Sequence, residues 1–445
     1  MIKKIFSIIF SVFIICTVII TPITAGAFTV TGFDITAKAG ALISLDTGEY
    51  LYENNIDQKM YPASITKIMT AILVLESEKF NPESKISMSK SALDLVLGTG
   101  STVSNFVEGE EFSQLDLIYL ILMSSAGDCT YLAAEYYGGS VENFVVMMNN
   151  KAKELGLNGT NYTNPVGLHD DDNYTTVRDI YTLTSYALKN KIFKEVCETP
   201  RYTMKTNLTE KKTLSTTNAL QDTTTNYYYQ YAKGVKTGYT DEAGRCLVST
   251  ASYNGYNYMC IVLGCPPKEK KHFSESISLY KWAFNNFSFK KVADSNEPVC
   301  EMPVELSLDT DFVPLFFKEP FVTVLPNEAD ASTIVVKPHL VSETAEAPIK
   351  KGQVLGTADI IYAEKIIGTA DLIAGEDIEP SLLLIIVKYI KLALTSIYMK
   401  IILAIFAVCV IIFILLCIRL NMSKIKKRKV KYIPYNEKGG KRHEK

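Results

Sequence analysis

Residues 401–418 form an unbroken apolar run, and no other stretch restricts the fold of the chain as strongly. The run is about as long as a helix needs to be to cross a bilayer. Inside lipid every backbone N–H and C=O must find a partner, so a single segment can cross only as a helix. Arg419, Lys424, Lys426, Lys427, Arg428, Lys429 and Lys431 follow at once. By the positive-inside rule residues 401–420 are expected to be a transmembrane helix and residues 421–445 a basic cytoplasmic tail. Beside such a helix the basic cluster serves topology, and no nucleic-acid partner is expected.

The opposite end agrees. Lys3 and Lys4 precede an apolar stretch over 5–20, then Pro22 and Ala25-Gly26-Ala27, which is the pattern of a cleavable secretory signal over residues 1–27. The body in between is therefore expected outside the cytoplasm, held to the cell membrane by one span. Ahead of that span residues 382–387 are too short to cross, while Lys388, Lys391 and Thr395 recur on one helical side. Residues 381–400 are expected to lie on the outer lipid surface as an amphipathic segment.

A chain of 445 residues has room for more than one domain, and 46 basic against 48 acidic residues point to no strongly charged partner. Apart from Cys16, Cys409 and Cys417 in the apolar ends, the cysteines are irregularly spaced and too few to staple a body this large. No Cys-x-x-Cys or His-x-x-x-His pattern occurs, so neither a metal nor another cofactor is expected. Only His169, His272 and His339 fall in the exported part, which disfavours a histidine triad and favours lysine as a base.

One stretch offers such a lysine. In Tyr61-Pro62-Ala63-Ser64-Ile65-Thr66-Lys67-Ile68-Met69-Thr70 and the residues just beyond, Ile65, Ile68, Met69, Ile72 and Leu73 recur at helical spacing. Pro62 and Ser64 mark a helix start. Ser64 and Lys67 then stand one turn apart on one side, with the hydroxyl at the positive end of the helix dipole. Two readings are open here: a nucleophile with its base, or a capping serine with a lysine snorkelling to solvent. Ser-x-x-Lys also begins at Ser87, Ser278, Ser288 and Ser423, but Ser64 alone opens a long, almost uncharged helical pattern.

Ahead of that helix, Ala39-Gly40-Ala41-Leu42-Ile43-Ser44-Leu45, the turn Asp46-Thr47-Gly48 and Tyr50-Leu51-Tyr52 read as a β-hairpin. Residues 76–112 read as short helices and loops. Residues 115–123, 129–137, 141–155, 176–188 and 273–287 read as helices, with a turn at Ser124-Ser125-Ala126-Gly127-Asp128. Asp170, Asp171 and Asp172 lack the spacing of a calcium loop and read as a solvated turn. Residues 202–231 read as strands with a mobile connection, and 233–240, 244–251 and 258–264 as an antiparallel meander. An antiparallel sheet flanked by helices makes residues 28–292 an α+β or three-layer domain. From Glu297 onward short strands alternate with Pro, Asp and Gly, so residues 293–380 are expected to be a small all-β domain without chemistry of its own.

Lys-Thr-Gly occurs once, at Lys236-Thr237-Gly238 on an expected strand. Its glycine permits close approach, and its lysine and threonine offer a cation and a hydroxyl to an anion. Ser64-x-x-Lys67, the Ser125 turn and Lys236-Thr237-Gly238, in that order, resemble the three motifs of the penicillin-recognising serine enzymes. Four stretches are similar to the low-molecular-weight penicillin-binding proteins that are D-alanyl-D-alanine carboxypeptidases. They are Tyr61-Pro62-Ala63-Ser64-Ile65-Thr66-Lys67, Asn164-Pro165-Val166-Gly167-Leu168-His169, Tyr174-Thr175-Thr176-Val177-Arg178-Asp179 and Lys236-Thr237-Gly238-Tyr239-Thr240. The likeness runs from about residue 37 to residue 287.

The resemblance implies a penicillin-binding, β-lactamase-like fold, a peptidoglycan stem peptide as substrate and β-lactam antibiotics as ligands. It implies Ser64, Lys67 and Ser125 as catalytic residues and Lys236, Thr237, Gly238 and Tyr239 as the substrate-binding strand. Gly127 departs from the pattern, because the family commonly carries Asn or Cys there; Asp128, another side chain or water would have to compensate. A spanning helix with a basic tail is a second departure, since relatives often end in an amphipathic helix alone. Two rivals stay open: a β-lactamase-like hydrolase, for which no deacylating glutamate is identifiable, and a catalytically weakened scaffold protein, which Gly127 favours.

Overall fold

The computed structural model describes residues 35–330 and 333–429. The expected signal over 1–27 and the tail from residue 430 lie outside the described residues. One compact unit runs to Ala293 and takes in Pro320–Lys337 and Asp359–Thr369. The other holds Asp294–Glu319, Pro338–Ala358 and the chain from Ala370 onward.

The first unit is built on five strands: β1 (Ala39–Ser44), β2 (Tyr50–Asn54), β3 (Ala232–Thr240), β4 (Gly244–Tyr253) and β5 (Tyr256–Cys265). They pair antiparallel in the order β2-β1-β5-β4-β3. β1 meets β5 from Ala39↔Leu263 to Ser44↔Tyr258, and β3 meets β4 with Thr237↔Leu247 and Gly238↔Cys246. Successive side chains of a strand point to opposite faces. Ala39, Ala41, Ile43, Val248, Met259 and Ile261 accordingly enter one core, while Leu42, Leu247, Tyr258, Cys260 and Val262 enter another. A sheet covered on both faces explains why these strands read as nearly continuous apolar runs. The expected α+β arrangement is present, in three layers.

Among the described residues the helices that cover the first face include α1 (Lys67–Leu75), α2 (Gln114–Leu122), α3 (Gly127–Gly138), α4 (Val141–Glu154), α5 (Val177–Ala187) and α6 (Lys191–Glu198), with the short helix Lys90–Asp94 adding Ala92 to the same core. α2 starts with a capping box, Ser113 Oγ accepting from the Asp116 N–H while Asp116 accepts from the Ser113 N–H. α6 is not among the expected helices. Its eight residues are too few to display a period, and its fold rests on the Asn190 cap and on burial of Phe193, Val196 and Cys197. Within 202–231 only Arg201–Met204 and Lys212–Ser215 pair as strands. The turns that follow are tied down by Asn218 Nδ2 donating to Gly234 O at 2.9 Å and Gln221 Nε2 donating to Cys197 O at 3.0 Å.

α7 (Lys271–Asn286) covers the second face. Its Tyr280 hydroxyl meets Ser249 Oγ at 2.9 Å and accepts from the Cys260 N–H at 3.1 Å, which joins the helix to two neighbouring strands. After α7, Phe287–Ala293 continues as a strand paired with Phe321–Pro326. In the second unit Pro298–Glu305 pairs with Phe312–Phe317, and Leu315, Phe316 and Phe317 pair in turn with Ala374, Ile373 and Leu372. Met302, Val313, Leu315, Leu372 and Ala374 are buried between them. This is the all-β domain expected from the sequence. Helices Leu382–Thr395 and Ile397–Lys429 follow. Within the second, Ile397–Met422 is long and apolar enough to cross a membrane, and none of it is buried against protein.

Tyr280→Phe removes a buried partner from both Ser249 and Cys260, a loss of about 1–3 kcal/mol. The urea unfolding midpoint of the detergent-solubilised chain is expected to fall accordingly, with the circular dichroism of the folded state unchanged.

Candidate active site

Ala63–Thr66 forms a single 3-10 turn that leads into α1. Residues three apart eclipse one another in such a turn, so Ser64 and Lys67 stack on one side. Lys67 Nζ donates to Ser64 Oγ at 3.0 Å and to the Val166 carbonyl at 2.8 Å. The reading of Ser64 as a helix cap fails: Pro62 holds the cap position, without a side-chain cap bond. Nor does Lys67 reach solvent, being 0% exposed.

The Val166 carbonyl is presented by a loop that Asn164 folds. Its Oδ1 accepts the N–H groups of Val166 at 3.2 Å, Gly167 at 2.7 Å and Leu168 at 3.0 Å. Thr70 Oγ1 of α1 donates to Pro165 O at 2.7 Å, fastening the same loop one turn further along. Gly167 has φ +87°, and a Cβ on it would lie 1.9 Å from Ala63 O, so no side chain fits. The chain entering the Ser64 turn is pinned by Met60, which exchanges backbone bonds with Thr175 at 2.8 and 2.9 Å. Nearby, Asp179 accepts from Gly159 N–H at 2.8 Å and Thr160 Oγ1 at 2.7 Å.

From the other side comes β3, the edge strand. A Cβ on Gly238 would stand 3.1 Å from both Pro62 O and Ser64 N, which measures how closely the strand runs along the turn. Lys236 is 1% exposed, and its Nζ donates to Thr237 O at 3.1 Å. Thr237 Oγ1 and Thr217 Oγ1 are hydrogen-bonded at 2.6 Å. Tyr239 is open to solvent and donates its hydroxyl to Asp241 at 2.6 Å. A cavity of about 520 Å³ opens over these groups, with Ser64, Ser101, Gly167, His169, Tyr239 and Glu242 in its wall.

Burial, reinforced by the positive charge of Lys236, holds the Lys67 amine well below the usual lysine range, with Asp128 acting in the opposite direction. Burial also pushes Lys236 down to about 7, with Cys197 acting the other way. A neutral amine bonded to a serine hydroxyl can take its proton, and that is the chemistry this pair supports.

Ser125 sits just ahead of α3 with φ +59° and is 7% exposed. Its hydroxyl bonds to no other described residue, so the structure joins Ser64, Lys67 and the 236–239 strand without a hydrogen bond from Ser125. Asp128 is fully buried and committed: it accepts from Ser104 N–H at 2.8 and 3.0 Å, Ser104 Oγ at 2.6 Å and Cys129 N–H at 2.8 Å. It therefore does not stand in for the side chain Gly127 lacks. Sequence reasoning matched 164–169 to a family stretch without seeing that it supplies the carbonyl facing Lys67. The signal available was Asn-Pro-x-Gly, an asparagine able to cap its own turn beside a glycine free to adopt positive φ.

Residues 26–266 match the family model described as D-alanyl-D-alanine carboxypeptidase, and residues 287–380 match that of the penicillin-binding protein 5 C-terminal domain. The chain is similar to the D-alanyl-D-alanine carboxypeptidase DacF of Bacillus subtilis, 32% identical over 72% of this chain and 80% of that one. It is 30% identical to DacA of Haemophilus influenzae over 74% of this chain and 82% of the relative. The solved penicillin-binding protein 5 from Haemophilus influenzae matches with a TM-score of 0.64 at 28% identity, over 79% of this chain and 99% of the other. Fold and site thus define a serine peptidase of the penicillin-binding type. The chain belongs to the D-alanyl-D-alanine carboxypeptidase family and is a low-molecular-weight penicillin-binding protein.

Gly167→Ala drives a methyl group into the Ala63 carbonyl and must shift the Ser64 turn. Misplacement of a nucleophile by about 1 Å costs on the order of 100-fold in rate. Stopped-flow acylation by a fluorescent penicillin is expected to slow by about that factor.

Proposed function

We propose that this protein removes the terminal D-alanine from peptidoglycan stem peptides through an acyl-enzyme on Ser64. The observation that carries the proposal is the fully buried Lys67 amine, 3.0 Å from Ser64 Oγ. Lys67 takes the hydroxyl proton as Ser64 attacks the carbonyl of the penultimate D-alanine. The backbone N–H groups of Ser64 and Tyr239 receive the oxyanion, each such donor being worth about 2.7–4 kcal/mol in other acyl-transfer enzymes. As the peptide C–N bond breaks, Ser125 passes a proton to the departing D-alanine amine. Water then hydrolyses the ester and frees the shortened peptide. Lys236 and Thr237 hold the terminal carboxylate, and Gly238 keeps the strand close enough for them to do so. β-Lactams acylate Ser64 because they carry an equivalent carboxylate and a reactive acyl bond.

Residues 28–292 act as the catalytic domain and 293–380 form a β-rich domain. Residues 381–400 lie along the outer lipid surface, 401–420 cross the cell membrane once and 421–445 remain in the cytoplasm, after removal of a signal over 1–27. Support comes from the apolar Ile397–Met422 helix and from the basic residues beyond it. The activity serves cell-wall biogenesis.

Release of D-alanine from a pentapeptide, measured beside labelling by a fluorescent penicillin, tests the assignment. Ser64→Ala is expected to abolish both. Rapid hydrolysis of the drug without stable label would indicate a β-lactamase, and no reaction with either compound a scaffold protein. Turnover needs Lys67 neutral and Lys236 charged, so kcat/KM is expected to rise with pH while Lys67 loses its proton. It should then fall as Lys236, at about 7 in the empty site, loses its own. Lys236→Arg, which stays charged, is expected to remove the alkaline limb from the measured pH profile.

A further inference from the structure

We propose that the Ser101 hydroxyl, carried by the loop ahead of α3, contacts the bound peptide from the space that a side chain at position 127 would otherwise take. The inference rests on the peptidase reading given above. A Cβ built on Gly127 would lie 2.2 Å from Ser101 Oγ, 3.1 Å from Ser101 Cβ and 3.3 Å from Val96 Cγ1. The side chain of residue 101 therefore occupies the direction in which a side chain at 127 would project. Residues 101 and 127 share one space, and only one of them can fill it.

The loop is built to hold Ser101 there. Gly127 N–H donates to Thr102 O at 2.7 Å, which ties the loop to the first turn of α3. Thr99 Oγ1 donates to Val96 O at 2.8 Å and accepts from Ser101 N–H at 3.2 Å. Gly98 and Gly100, with φ of +74° and +72°, supply the reversals on either side of Thr99. Ser101 lies in the wall of the cavity that contains Ser64. Its hydroxyl bonds to no other described residue, whereas the neighbouring Asp128 is consumed by Ser104. A polar group held by its backbone, unbonded and carried by a residue of the cavity wall is placed to pair with an amide of the bound peptide.

The test uses the full chain in detergent micelles, with D-alanine release, penicillin acylation and the thermal midpoint measured on each variant. Ser101→Ala keeps the loop and removes one neutral hydrogen bond, so kcat/KM is expected to fall roughly fivefold to tenfold with the midpoint unchanged. Gly127→Asn forces Ser101 out of its place, and is expected to lose roughly 100-fold with a lowered midpoint. The double variant Ser101→Gly/Gly127→Asn vacates the space for the asparagine amide, and is expected to exceed the Gly127→Asn single variant by at least about tenfold. Ser101→Ala indistinguishable from an active wild type, or a double variant no better than Gly127→Asn, overturns the inference while leaving the peptidase reading intact. A wild type that neither releases D-alanine nor takes up penicillin overturns both.

Discussion

An amine sealed away from water, with no carboxylate bonded to it among the described residues, is the constraint on which this site depends. A buried ammonium without a counter-ion is costly enough that the group gives up its proton instead. Among the described residues Lys67 has two partners, the Ser64 hydroxyl and the Val166 carbonyl, and neither carries a compensating charge. The surrounding structure keeps the Lys67 side chain out of solvent. Asn164 folds the loop that carries the carbonyl, Gly167 lets that loop touch the turn, and α1 is buried along nearly its whole length.

Lys236 stands under the opposite demand. It is equally buried, yet the proposed mechanism requires it to be cationic when a carboxylate arrives. Its charge is one of the forces that hold Lys67 neutral. In the proposed mechanism a substrate carboxylate stabilises that charge, while its own negative charge acts on Lys67 in the opposite sense, as Asp128 does. The protonation states of the two amines are thereby linked although they stand on separate elements, the edge strand and the first turn of the central helix. On the proposed mechanism, a free C-terminal carboxylate is what keeps a lysine as buried as Lys236 charged.

Much of this was legible because it is local. Ser64 and Lys67 are set three apart by one turn, and the apolar period that follows announces a buried helix. Lys236-Thr237-Gly238 was legible because it is unique in the chain and lies in a strand-like run. The layered sheet followed from long apolar segments that alternate with helical ones. What escaped was tertiary. Nothing in the sequence announces that residues 101 and 127 compete for one space, or that Asp128 turns to Ser104 instead of the cavity. α6 was too short to show its period. The sequence left open whether Ser64 is a nucleophile or a cap, because a proline-led 3-10 turn and an α-helical start look alike in sequence.

The strand order also governs how the domain comes into being. β1, the first strand made, lies inside the sheet, and its long-range partner β5 ends at Cys265. More than half of the chain must emerge before that pairing can close, and loop-closure entropy opposes contacts so distant in sequence. Until then the apolar face of β1 and the helices meant to cover it have no shared surface to bury. A polypeptide halted short of β5 is left with an unzipped middle, and the sheet can close only once the chain has been made past Cys265.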